Sequence, residues 1–66
     1  MNKVSKAIIK KILNDNIFSL EVAKILDIQQ YSVKELAKRN SDKLGHYKCV
    51  EFYKSEGLTL EQIFNS

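Results

Sequence analysis

Sixty-six residues, 44% of them hydrophobic, with a net charge of +3 and one cysteine, set the bounds on this chain. The length supports one small domain, and its apolar content is ordinary for a globular chain, which argues against disorder. A lone cysteine excludes an intrachain disulfide and a Cys-based metal cluster, and no apolar run reaches the roughly 18 residues of a membrane span.

The first predicted helix covers residues 1–16. Val4, Ala7, Ile8, Lys11 and Ile12 recur on one side at helical spacing, and Ile9 and Leu13 widen that face. Lys3, Lys6 and Lys10 fall opposite. A basic amphipathic helix can lie on a membrane surface, but this one is short and lacks Trp and Phe. Packing behind the next two helices is the better use. Asn14, Asp15 and Asn16 form a polar stop.

Residues 19–38, SLEVAKILDIQQYSVKELAK, read as two short helices around a tight break. Ser19 is the expected N-cap of the first, with Glu21 in its first turn. Val22, Ala23, Leu26 and Ile28 fit one apolar face and its exit; Val33, Leu36 and Ala37 fit a second. Ser32-x-x-Glu35 has the form of a capping box, with Tyr31 and Leu36 as its staple, which would start the second helix near residue 32. Lys38 and Arg39 suit a helix C-terminus, and Asn40 suits a stop.

Residues 41–45 read as a loop whose Lys43 joins Lys38 and Arg39 in a local basic cluster. A further helix is expected over residues 46–56, carrying Cys49, Val50, Phe52 and Tyr53. Cys49 reads as a small buried hydrophobe. His46 has no second His and no metal-ligand spacing around it. Gly57 is the expected left-handed residue beyond this helix. Thr59 and Gln62 form a capping box, and Leu58 and Ile63 its staple, ahead of a short helix over Leu60–Phe64.

The pattern around Ala23 resembles the helix-turn-helix of Cro/C1-type phage and bacterial repressors. That family has an alanine where the second helix crosses the first. It has apolar residues just before that alanine and three, five, ten and thirteen positions after it. Val22, Leu26, Ile28, Val33 and Leu36 stand there. Two positions depart. Asp27 replaces the usual turn glycine, and is expected at positive φ because Asp tolerates the left-handed region. Gln29 replaces the usual Ser or Thr cap. The closing helix, Gly and L-T-L-E-Q-I-F also resemble the end of such domains, so the likeness spans nearly the whole chain.

The resemblance implies an all-α, compact four- to five-helix bundle with the motif at helices 2 and 3. It implies sequence-specific binding of double-stranded DNA by a transcriptional regulator of phage or mobile-element type. A homodimer on DNA is the family expectation, because half-sites are two-fold related. Gln30 would read a base edge, since Gln can pair with adenine through two hydrogen bonds. Gln29, Tyr31, Lys34 and Lys38 lie on or near the same face, and Arg39 and Lys43 would contact phosphates. Glu35 on that face opposes phosphate contact unless it accepts from a cytosine or is held in the capping box.

Charge supports a polyanionic partner. Residues 1–44 carry nine Lys/Arg against five Asp/Glu, and residues 45–66 carry two against three. No Ser/His/Asp set, Cys/His pair or glycine-rich phosphate loop stands out, so neither an enzyme nor a cofactor or small-molecule substrate is expected. The N-terminus lacks a signal-peptide pattern, and a cytoplasmic, reducing setting is expected. The alternative is a small helical protein-binding module that antagonises a host factor without touching DNA. A winged helix is a third reading; it needs a β-hairpin, for which residues 46–53 are the one stretch able to supply a strand.

Overall fold

Asp15 ends one helix and begins the next. Its backbone N–H closes α1 (Lys6–Asn14) on the Lys11 carbonyl at 2.9 Å. Its carboxylate opens α2 (Asn16–Leu26) by accepting from the N–H groups of Ile17 and Phe18 at 3.0 and 3.1 Å. An anion is favoured there because the first N–H groups of a helix have no intrahelical partner. The computed structural model describes residues 3–64. It continues with α3 (Gln30–Lys38), a 3-10 turn (Asp42–Gly45), α4 (Tyr47–Ser55) and α5 (Leu60–Phe64). The result is the predicted all-α bundle, with a helix-turn-helix at α2 and α3 and no strand among the described residues.

Several predicted boundaries shift. Met1 and Asn2 lie outside the described residues, and α1 begins only at Lys6 because Ser5 caps it, accepting from Ile8 N–H at 3.4 Å. The α2 helix begins before Ser19, because Asp15 offers a charged cap one turn earlier. Ser19 is therefore a buried helical residue, and its hydroxyl donates back to the Asn16 carbonyl at 3.0 Å. The Ser32–Glu35 capping box does not form. The Gln29 carbonyl already receives the N–H groups of Ser32 and Val33 at 3.0 and 3.2 Å, so α3 starts at Gln30, with Gln29 as a cap that makes no side-chain bond. The expected loop at 41–45 is wound into a 3-10 turn, capped by the Ser41 hydroxyl. The helix expected over residues 46–56 is present as α4, so residues 46–53 do not supply the strand that the winged-helix reading needs.

Three helices close the same way, each on a residue with left-handed backbone. Asp27 (φ 57°), Asn40 (φ 51°) and Gly57 (φ 94°) turn the chain out of α2, α3 and α4. In each, the next residue's N–H reaches back to a carbonyl five positions before it: Ile28 to Ala23, Ser41 to Leu36, Leu58 to Tyr53, at 2.9–3.2 Å. These bonds satisfy carbonyls that the helix ends would otherwise leave unpaired. Asp and Asn are the non-glycine residues that enter this region most readily.

The core draws on every helix. Val4, Ile8, Ile12, Phe18, Val22, Ala23, Val33, Leu36, Ala37, Leu44, Cys49, Tyr53 and Ile63 form one buried cluster. Leu26 and Val50, expected in it, are half-buried at its margin. Ile28 is 38% exposed and Ala7 is exposed outright. Ile28 leaves the core because the reversal at Asp27 carries the chain to the surface before α3 begins.

Two polar ties lock the outer elements. Ser5 donates through its backbone to the Ile63 carbonyl and through its hydroxyl to the Gln62 carbonyl at 2.7 Å, pinning α5 to the start of α1. The predicted Thr59–Gln62 box caps α5 reciprocally, at 2.9 and 3.1 Å. Tyr53 donates its phenol to the Leu44 carbonyl at 2.9 Å and stacks on Phe18 with centroids 5.6 Å apart, joining α4 to the 3-10 turn and to α2. Burial pushes the Cys49 thiol up to about 11 despite the neighbouring Tyr53 hydroxyl. Burial, and then the adjacent Cys49, push the Tyr53 phenol well above its ordinary range. Cys49 is thus the small core residue its sequence setting predicts.

Candidate nucleic-acid interface

Ala23 of α2 is 3% exposed and buried in one cluster with Val22 of the same helix and Val33 of α3. A larger side chain at Ala23 would hold the helices apart. With Val33, Leu36 and Ala37 turned inward, the remaining side of α3 is left to solvent. The polar side chains singled out in the sequence occupy that remaining surface, but they divide into groups.

Gln30 and Lys34 turn toward the first turn of α2. The Gln30 side-chain amide donates to the Ser19 hydroxyl at 2.8 Å and to the Asn16 carbonyl at 3.1 Å. The Lys34 ammonium donates to the Asn16 side-chain oxygen at 2.9 Å. Both residues are half-buried, so Gln30 is not the freely exposed side chain the sequence reading expects. Its two amide hydrogens are occupied, and pairing with adenine through two bonds would require one of them to open. Its Oε1 has no partner among the described residues and keeps full acceptor capacity.

Tyr31, Arg39 and Lys43 line an open groove with Glu35, floored by Ile28 and Leu36. Tyr31 is 68% exposed. Lys38 lies 3.5 Å from Glu35 on the α3 surface, and both are largely in water, so this pair holds neither side chain firmly. Glu35 is thereby answered by a lysine and not by a capping role. Gln29 is exposed at the tip of the turn.

Asn16 and Ser19 are the residues that sequence reasoning missed here. The sequence alone places Asn16 in a polar stop and Ser19 at a cap, yet together they hold the first turn of α3. The contacts span 11 to 18 positions in the chain. A local pattern such as cap spacing cannot reveal them.

Comparison with family models, curated proteins and solved structures found no match for this chain.

Proposed function

We propose that this chain is a small regulator of transcription that binds double-stranded DNA sequence-specifically, with α3 in the major groove, in the manner of the Cro/C1-type repressors it resembles. The observation that carries the reading is the α2–turn–α3 unit itself. It has a buried alanine in α2, a left-handed residue at the turn, and an outer α3 surface bearing Gln30, Tyr31, Lys34 and Lys38. An α-helix fits the major groove, and a helix-turn-helix presents the N-terminal residues of its second helix to base edges.

In this reading the Gln30 side chain is held in place by Ser19 and Asn16, and its free oxygen accepts from adenine N6 or cytosine N4. Tyr31 offers an exposed ring edge and hydroxyl beside it. Lys38, Arg39 and Lys43 sit later on the helix and after it, where they neutralise phosphates. Binding as a homodimer would place two α3 helices in successive major grooves, about 34 Å apart. Selection from a randomised duplex pool tests this: the bound fraction should converge on one short site, ideally as an inverted repeat. A bound pool that stays random after repeated rounds would reduce the chain to a general polyanion binder.

A protein-binding module remains the second reading because of one feature. Ile17 and Leu20 are 77% and 44% exposed on α2, and an apolar pair in water is better suited to a protein partner than to phosphates.

A further inference from the structure

The groove beside α3 combines two kinds of surface. Its floor is apolar, made by Ile25, Leu26, Ile28 and Leu36, with Tyr31 beside them. Its rim is charged. Arg39, Lys43 and Lys48 stand there against Glu35 and Asp42, and Glu35 is already answered by Lys38 at 3.5 Å. The ion pairs among the described residues are made by Lys11, Lys24, Lys38 and Lys54, so the three rim cations are left without one. Phosphates complement the rim but leave the floor in water. The occupant that satisfies both has an apolar side chain flanked by carboxylates.

The chain itself carries such a segment. Residues 55–66 contain two Glu and no Lys or Arg. Both, Glu56 and Glu61, are exposed, and between them Leu60 is 53% exposed. They surround the left-handed turn at Gly57, which faces open space. Leu58, by contrast, packs against the core. Ser5 pins this region to the start of α1 through Gln62 and Ile63, and no described residue beyond Lys48 lines the groove. The segment therefore does not fill the groove of its own chain.

We infer that Glu56, Leu60 and Glu61 of one copy dock into the groove of a second copy. Leu60 covers the floor of Ile28 and Leu36, and the carboxylates meet Arg39, Lys43 and Lys48. Groove and docking segment are different surfaces, so the contact is head-to-tail, and each added copy leaves one groove and one segment free. The same contact covers Tyr31 and Arg39, so self-association and the proposed DNA binding exclude each other. That exclusion rests on the DNA reading; the contact itself does not.

A contact confined to one groove is small and therefore weak. It is sought by sedimentation equilibrium at low salt, up to about millimolar chain. The average mass of the wild type should rise with concentration, and should fall back toward one chain as salt is raised. Two variants at exposed positions each remove one side: Lys43→Glu/Lys48→Glu the groove, and Leu60→Lys the segment. Each alone should stay a single chain, with thermal unfolding as the check that it is folded. Mixed in equal amounts, they should associate again and stop at two chains, because the mixture holds one working groove and one working segment. A variant carrying all three changes should pair with neither. Wild type that stays single at every concentration would overturn the inference. So would variants that associate as the wild type does, or a mixture that stays unpaired, since either assigns self-association to another surface such as Ile17 and Leu20. Adding the selected duplex should dissociate the associated wild type. Association without any duplex binding would uphold the contact and remove the DNA reading. Duplex binding by a wild type that never associates would do the reverse.

Discussion

Gln30 donates its side-chain amide to the buried hydroxyl of Ser19 at 2.8 Å, and so the first turn of α3 is tied to the inner side of α2. The bond does two things. It fixes the angle at which α3 leaves the turn, and it leaves one polar atom of Gln30 outward-acting, its Oε1. The stability of the motif and its proposed reading function therefore meet in one side chain.

Gln30→Ala should lower stability by about 1–3 kcal/mol, the net worth of the two hydrogen bonds its amide donates to Ser19 and Asn16, where a fully exposed glutamine would cost nothing measurable. Ser19→Ala should cost a similar amount. The double substitution should fall short of the sum by about 0.5 kcal/mol or more, because both single changes break the same bond. Urea unfolding of the four proteins gives the coupling; strict additivity would show that the bond does not form in solution.

Ala23→Leu should overpack the contact of α2 with α3 and cost about 1–3 kcal/mol. A neutral result would mean that the two helices are not in close contact at this residue.

Asp27→Gly should be neutral or slightly stabilising, because glycine meets no penalty at φ 57°. Asp27→Val should cost at least about 1–2 kcal/mol, since a β-branched residue is disfavoured in the left-handed region. Equal stability of the glycine and valine variants would contradict the turn geometry.

Alkaline pH should destabilise the fold through its core. The Cys49 thiol ionises near 9 when unfolded and only at about 11 in the native chain, because burial penalises the thiolate. A folded value above the unfolded one means the contribution is intact below pH 9 and is lost as pH rises toward 11. Tyr53 shifts in the same direction. Cys49→Ala should flatten part of the fall in stability between pH 9 and 11. In the native protein at pH 8, Cys49 should also resist a thiol reagent until the chain unfolds. Rapid native labelling would place the thiol at the surface.

Local chemistry was legible in the sequence where the signal spans a single turn. The Thr59–Gln62 box, the left-handed Asp27, the stop at Asn40 and Gly57 beyond α4 all depend on residues within five positions of one another. The apolar faces of α1, α2 and α3 were legible for the same reason, apart from Ala7 and Ile28. What failed was competition between caps. Ser19 and Ser32 both fit cap patterns, and both lost to an earlier start: Asp15 for α2, and the Gln29 carbonyl for α3. Nor could spacing show that Gln30 would spend its amide on Ser19 and Asn16. That is a consequence of the fold. Which of the candidate interface residues stand on α3 was legible, and which of them turn toward α2 was not.

The claim that this chain binds DNA is tested most directly by equilibrium titration of the whole chain against a random duplex pool at low and raised salt. If about four phosphates are neutralised, log K should fall with log salt at a slope of roughly −4, so that a fourfold rise in salt weakens binding about a hundredfold or more. Lys38→Ala should reduce that slope by about one unit. Absence of measurable binding at low salt, by a chain shown to be folded, would contradict the account and turn the exposed surface of α2 and α3 into a site for protein partners.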